Sequence, residues 1–325
     1  MSLADAVSQQ SHFGGPSDGY SSQALSRSTS IGQDLSSLEA GRFSELDVTL
    51  DQASRTYWCM MRPQQPTFRP SLLRDFKELQ YSLKRLFTGR ATNDPPVRYL
   101  AFGSSTPGIF NLGGDLNLFS TLIRRRDRER LRDYAHACVD VSYNNAAAYD
   151  LPIITIAMVQ GDALGGGFEA ALSCNVIIAE RRAKFGLPEV LFNLFPGMGA
   201  YSFLSRRIGA LAAEKMIISG KIYEAAELHA MGIVDVLVED GEAPAAVRAY
   251  IARHTRRQNA EQAIYAIRRR VNPISYAELS DITEIWVDAA LRLAESDLRR
   301  MERIALAQNR RWAQINVSSP KSDAV

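Results

Sequence analysis

The sequence predicts an α/β fold followed by a helical C-terminal region. Three observations point there. Between about Leu46 and Val238, short β-branched or apolar runs alternate with longer amphipathic segments, the pattern of strands connected through helices. Three glycine turns punctuate that stretch, in "FNLGGDL" (Phe110–Leu116), at Gly165–Gly167 and at Gly197–Gly199. From about Ala243 onward the chain is rich in Ala, Arg, Glu and Leu, with apolar residues spaced near 3.6.

Taken in order, residues 1–40 hold eleven serines with scattered Gly and Gln and little apolar periodicity. Such a stretch buries too little surface to offset its ordering entropy, so a disordered leader is expected. Residues 41–240 form the α/β core, with strands in "DVTLDQ", "TYWCMM", "RYLAFG", "IITIAMV", "NVIIAE" and "GIVDVLV". Residues 241–315 form the helical region, and "NVSSPKSDAV", residues 316–325, a disordered tail. No internal repeat marks a solenoid or a propeller.

Composition excludes several classes. With 46% apolar residues the chain can bury a sizeable core. Its 38 Lys+Arg nearly balance 36 Asp+Glu, so no bulk field argues for nucleic acid or a membrane surface. The longest apolar run, "LPIITIAMV", is about half the roughly 20 residues a membrane helix needs. The N-terminus lacks a basic stretch followed by an apolar one, so it does not read as a secretory signal. Cys59, Cys138 and Cys174 are odd in number and far apart, which suits a reducing compartment rather than a disulfide framework. His12, His136, His229 and His254 fit no metal or catalytic spacing. A cytoplasmic protein without metal or cofactor is expected.

The chemistry gathers around "VQGDALGGGFEAALSCN", residues 159–175. "GGGFEA" satisfies the loose G-x-G-x-x-[G/A] pattern of a dinucleotide fingerprint. The next strand begins at Asn175, however, leaving about seven residues for a helix where a parallel crossover needs roughly 10–12. No Gly-Lys-Ser/Thr follows, which excludes a Walker loop. Alternatively the glycines merely let a strand and a helix pack closely, with Glu169 as a solvated acid on a first helical turn. Glu189, twenty positions downstream in "FGLPEVLFNLFPGMG", reads as a surface acid unless its apolar flanks bury it. Three glycine loops and two carboxylates therefore converge on one core.

In that order and spacing, "FNLGGDL", "GDALGGGFEAALSCNVIIA" and "FGLPEVLFNLFPGMGA" resemble the crotonase or enoyl-CoA hydratase superfamily. Glutamate at both positions, the "FNLGGDLN" wording and the serine-rich leader look most like the diffusible signal factor synthases, which make cis-2-unsaturated fatty acids for bacterial signalling. The resemblance implies the crotonase fold, a core of ββα units wound into a spiral, with a C-terminal helical region. It places an oxyanion hole at the backbone N–H groups of Gly114 and Gly166, and the proton-transfer pair at Glu169 and Glu189. Gly113, Leu164, Gly165, Met198 and Trp286 match positions that contact the substrate. As activity it implies dehydration of a 3-hydroxyacyl chain on acyl carrier protein, then thioester hydrolysis. An ordinary CoA-dependent enoyl hydratase or isomerase is the alternative, and a non-catalytic signalling partner a third reading.

Each requirement has a physical basis. Removing the α-proton of a thioester creates an enolate oxygen that needs donors set in advance, and glycine lets backbone N–H groups approach it. Neighbouring carboxylates in a low-dielectric pocket separate their pKa values and can hold one proton between them. No G-x-S-x-G or Cys/His pairing suggests a separate nucleophile for the hydrolysis. The resemblance also implies a trimer or hexamer, and some family members are restrained by a sensor kinase. The basic clusters "RRRDRERLR" (Arg124–Arg132) and Arg268–Arg270 read either as solvated helix faces or as a docking surface for an acidic carrier or CoA phosphates.

Overall fold

Strand β1 (Leu46–Asp51) alternates buried and exposed residues over its first four positions. It pairs antiparallel with β2 (Thr56–Met61). Helix α1 (Pro70–Phe87) follows, opened by a proline in its first turn, where a missing N–H costs nothing. These are the first described elements of a computed structural model covering residues 43–89 and 95–318. The expected leader at 1–40 lies outside the described residues.

A repeated path then begins. β3 (Tyr99–Ser104) and β4 (Ile109–Asn111) lead to α2 (Leu116–Arg124) and α3 (Arg128–Ala146). β5 (Ile154–Val159) and β6 (Asp162–Leu164) lead to α4 (Gly166–Ser173). β7 (Val176–Glu180) and β8 (Lys184–Gly186) lead through a 3₁₀ turn at Pro188–Phe192 to α5 (Ala200–Ile208) and α6 (Ala210–Ser219). After β9 (Ile222–Glu224), α7 (Ala225–Ala230) and β10 (Val236–Val238), the chain is helical: α8 (Ala243–His254), α9 (Gln258–Val271), α10 (Tyr276–Leu291) and α11 (Glu295–Ser318). Helix α11 thus runs three residues into the stretch expected as a tail.

Each ββα unit gives one strand to each of two sheets, ordered β1-β2-β3-β5-β7-β10 and β4-β6-β8-β9. From β2 to β10 the larger sheet is parallel. Every residue of β3, β5 and β7 is buried, as parallel strands covered on both faces require. The smaller sheet is built from three-residue strands and carries the glycine loops at its ends.

The helical region shares its core with the α/β part. Leu122 of α2 and Leu131 of α3 pack in one cluster with Trp286 and Val287 of α10 and Leu298 and Met301 of α11. The basic stretch Arg124–Arg132 reinforces this seam. Arg124 pairs with Glu295 and Glu302, Arg128 with Glu284 and Asp288, and Arg132 with Glu284. These arginines are spent tying α2 and α3 to the C-terminal helices, which leaves little of the docking surface the sequence allowed. Each exposed pair contributes about 0–1 kcal/mol, so the apolar cluster carries most of the attachment.

Candidate active site

β4 ends where the backbone turns at Gly113, which has φ +93°, a conformation that glycine adopts without strain. The buried Asn111 side chain fixes this turn by accepting the Gly113 N–H at 2.8 Å. The Gly113 carbonyl accepts from the Phe68 N–H at 2.8 Å. One residue on, the Asp115 N–H donates to the Tyr134 hydroxyl at 3.0 Å, and that hydroxyl donates to the Phe68 carbonyl. Between these anchors the Gly114 N–H has no partner among the described residues.

The second loop comes from β6. Gly165, at φ +52°, turns the chain into α4, whose first N–H groups have no carbonyl one turn back. The Gly166 N–H is one of these orphans. The two loops abut, since a Cβ placed on Gly166 would stand 3.5 Å from the Gly113 Cα. Two unpaired backbone donors therefore open into one cavity, one of them at a helix N-terminus, where the dipole favours negative charge.

Glu169 lies three residues along α4 and is 1% exposed. Its Oε1 accepts the N–H groups of Met198 at 2.7 Å and Ala200 at 2.9 Å, so it closes the N-terminus of α5. Burial pushes its carboxyl up to about 7, against the pull of backbone N–H groups at Ala200, Met198 and Gly199. Glu189, on the 3₁₀ turn, is reached by its own backbone N–H rather than by the start of a helix. Although the residue is only partly buried, its Oε2 is sealed from solvent and unpartnered. Burial, then the charge of Glu169, hold its carboxyl well above the usual range. The pair thus keeps one proton readily: Glu169 ionises first and Glu189 stays neutral longer.

Both glutamates line one cavity with Gly113, Gly114, Gly165 and Gly166. Met198 and Trp286 join its wall, with Trp286 tilted against Phe119 at a ring-centroid distance of 5.0 Å. Leu164 is not among the lining residues; it ends β6, with its carbonyl beside the Gly113 turn. Sequence reasoning did not name Phe119, Tyr134, Ile304 and Gln308, which are also part of the wall. The asparagine before the glycine turn offered a local hint of Asn111, because short amides bond to backbone two residues on. The other four offered none. Among the described residues no group of His, Cys, Asp and Glu is placed to hold a metal, and no helix is long and apolar enough to cross a membrane.

The family model described as enoyl-CoA hydratase/isomerase matches residues 61–279. The chain belongs to this family. Its α/β spiral with a helical C-terminal region is the crotonase fold. An enoyl-CoA hydratase structure from Bacillus halodurans superposes at TM-score 0.67 over 80% of this chain and 100% of its own, at 20% identity. Pseudomonas aeruginosa DspI superposes at TM-score 0.56 over 77% of this chain and 98% of its own, at 26% identity. Rat mitochondrial methylglutaconyl-CoA hydratase is 35% identical over 160 residues, 48% of each chain. The chain thus spans about half the length of the curated relatives it matches.

For this family member the carboxyl pair sets a pH dependence. Below about 7 Glu169 takes up a proton, and both members of the pair are then neutral, so a reaction that uses an ionised carboxyl of the pair as its base loses it. The expected kcat/KM rises about tenfold per pH unit up to a midpoint near 7 and then levels off. A profile that stays flat from about pH 5 to 8 would contradict the assignment of a single ionising partner.

Proposed function

We propose that the protein makes a cis-2-unsaturated fatty acid from a 3-hydroxyacyl chain carried on acyl carrier protein. The observation that carries this reading is the meeting of two glutamates, one ionising first and one held neutral, with two unpaired backbone N–H groups in one cavity. The thioester carbonyl oxygen accepts from Gly114 and Gly166. The ionised glutamate removes a proton from C2, and the electron pair passes to the enolate oxygen. Its return forms the C2–C3 double bond as the C3–O bond breaks, and the neutral glutamate protonates the departing hydroxyl to give water.

Hydrolysis reuses the same donors. A water attacks the thioester carbonyl while a glutamate accepts its proton, and collapse of the tetrahedral oxyanion expels the carrier thiol, reprotonated from the carboxyl. Mass spectrometry of acids released from 3-hydroxyacyl carrier protein tests the proposal: a free cis-2-enoic acid is expected. Rapid hydration of enoyl-CoA with no released acid would favour the CoA-dependent hydratase, the reading that agrees with the names of most relatives.

The cavity has a volume of only ≈ 50 Å³, room for little more than a water or two at ~30 Å³ each. An acyl pantetheine needs more, so one wall must give. We take the C-terminal half of helix α11 as the wall that moves. Beyond Ala305 none of its described side chains is buried, and this half is held by Gln308, which donates to the Leu112 carbonyl at 3.1 Å, and by Arg311, paired with the buried Asp162 at 2.6 Å. Arg311→Ala is expected to enlarge the open population and lower KM for a long-chain substrate several-fold, because apparent affinity scales with the competent fraction. An unchanged or raised KM would exclude the strap.

A homotrimer or hexamer fits the surface. Helix α9 has no buried residue, yet it presents Ile264, Ile267 and Val271 to solvent on one face. Ile267→Glu is expected to yield smaller species in sedimentation, and a wild-type monomer would overturn the assembly.

A further inference from the structure

A second cavity, of ≈ 690 Å³, lies against Ser173 and Asn175 at the far end of α4. It shares no lining residue with the thioester cavity. Eight residues at about 1.5 Å each put the two ends of α4 roughly 12 Å apart. Arg206, Arg207, Arg268 and Arg269 line this cavity together with Asp150 and Asp235.

The duties of these groups separate them. Arg206 forks onto Glu278 at 2.8 and 2.9 Å. Arg207 donates to the carbonyls of Cys174 and Ile233 and lies 3.7 Å from Asp235. Asp235 also accepts the Ile177 N–H, and Asp150 pairs with Lys84. Both acids are therefore engaged. Arg268 donates to the Asn175 carbonyl at 3.3 Å and lies over the Tyr265 ring, but neither it nor Arg269 makes an ion pair among the described residues. The Arg269 Nη1 is buried with no hydrogen-bond partner at all. Arg268 is exposed and Arg269 half-buried; desolvation lowers the pKa of Arg269, a cost that an anion beside it would offset.

Two guanidinium groups without a carboxylate partner match a dianion better than a single carboxylate. A phosphoryl group offers the oxygens to engage both in bidentate fashion. The volume is that of an organic ligand site, typically about 300–1,000 Å³, and Leu151, Leu172, Phe203 and Ile274 supply an apolar wall. We propose that this cavity binds a small organic phosphate monoester, its phosphoryl group held by Arg268 and Arg269 and its body by the apolar wall.

Calorimetric titration of the full-length protein with inorganic phosphate, glycerol 3-phosphate and AMP tests this. At least one organic phosphate is expected to bind tenfold or more tighter than inorganic phosphate. Arg269→Ala is expected to weaken that binding at least tenfold, and Glu189→Gln to leave it unchanged. Should Arg269→Ala not fold, Arg269→Lys keeps the charge without the fork and is expected to weaken binding severalfold. Absence of binding by all three probes, preference for inorganic phosphate, or affinity undiminished in the Arg269 variant that folds would overturn the proposal.

Discussion

Glu189→Gln is expected to release cis-2-enoic acid roughly 10²–10⁴-fold more slowly than the wild type and yet to be the more stable protein at neutral pH. The loss of rate follows from removing the carboxyl that holds the proton. The gain in stability follows from the sign of the pKa shift. The Glu189 carboxyl is raised in the folded chain by burial and by Glu169, so folding favours its neutral form. The unfolded chain ionises this group near 4.5. Stability is fully present below that value and falls as pH rises from there toward the folded pKa, by roughly 1.4 kcal/mol per pH unit. Glutamine does not titrate and escapes this loss. Scanning calorimetry at about pH 5 and pH 8 should show melting temperatures close together at the lower pH and several degrees apart, variant higher, at the upper. A variant that melts lower at both would mean that Glu189 supports the fold rather than the chemistry.

Gly167→Ala is expected to cost both stability and rate, although Gly167 touches no reacting atom. A Cβ at this position would stand 2.0 Å from the Asn111 carbonyl oxygen and 2.7 Å from its carbon. Those are backbone atoms with no side-chain freedom to yield, so β4 and α4 must separate. Overpacking of this kind costs about 1–3 kcal/mol or more, a fall of several degrees in Tm. The same shift moves Asn111, which fixes Gly113 and through it the Gly114 N–H, away from the Gly166 N–H. A drop in kcat on the order of 10²–10³, the effect of one lost oxyanion donor, is expected. Gly166→Ala is the informative contrast, because its Cβ meets the flexible Met198 Sδ at 2.5 Å rather than backbone, and it should destabilise less. Equal melting temperatures for Gly167→Ala and wild type would show that the β4–α4 contact is soft.

The parts of this structure legible in the sequence are those set by local chemistry. β3, β5 and β7 are buried throughout and mostly apolar because both faces are covered, and near-continuous apolar runs announce that. The glycine loops stood out because close backbone approach tolerates no other residue. β4, β6 and β8 are three residues long, too short for any periodicity, yet they aim the loops. Tyr134 and Gln308 were invisible for a different reason: their partners Phe68 and Leu112 lie 66 and 196 residues away. The cluster Arg124–Arg132 reads as a solvated face or a docking surface, because the distant acids that engage it occur at Glu284 and beyond.

The two glutamates differ in how tightly the scaffold holds them. Glu169 is joined to the start of α5 through two backbone N–H groups, so losing it disturbs a helix as well as a reaction. Glu189 has an oxygen that bonds to nothing, and folding gains nothing from its charge. Replacing Glu189 therefore removes a carboxyl that burial penalises, with no helix start resting on it. One carboxylate is anchored to a helix, and the other is held mainly by the turn that carries it.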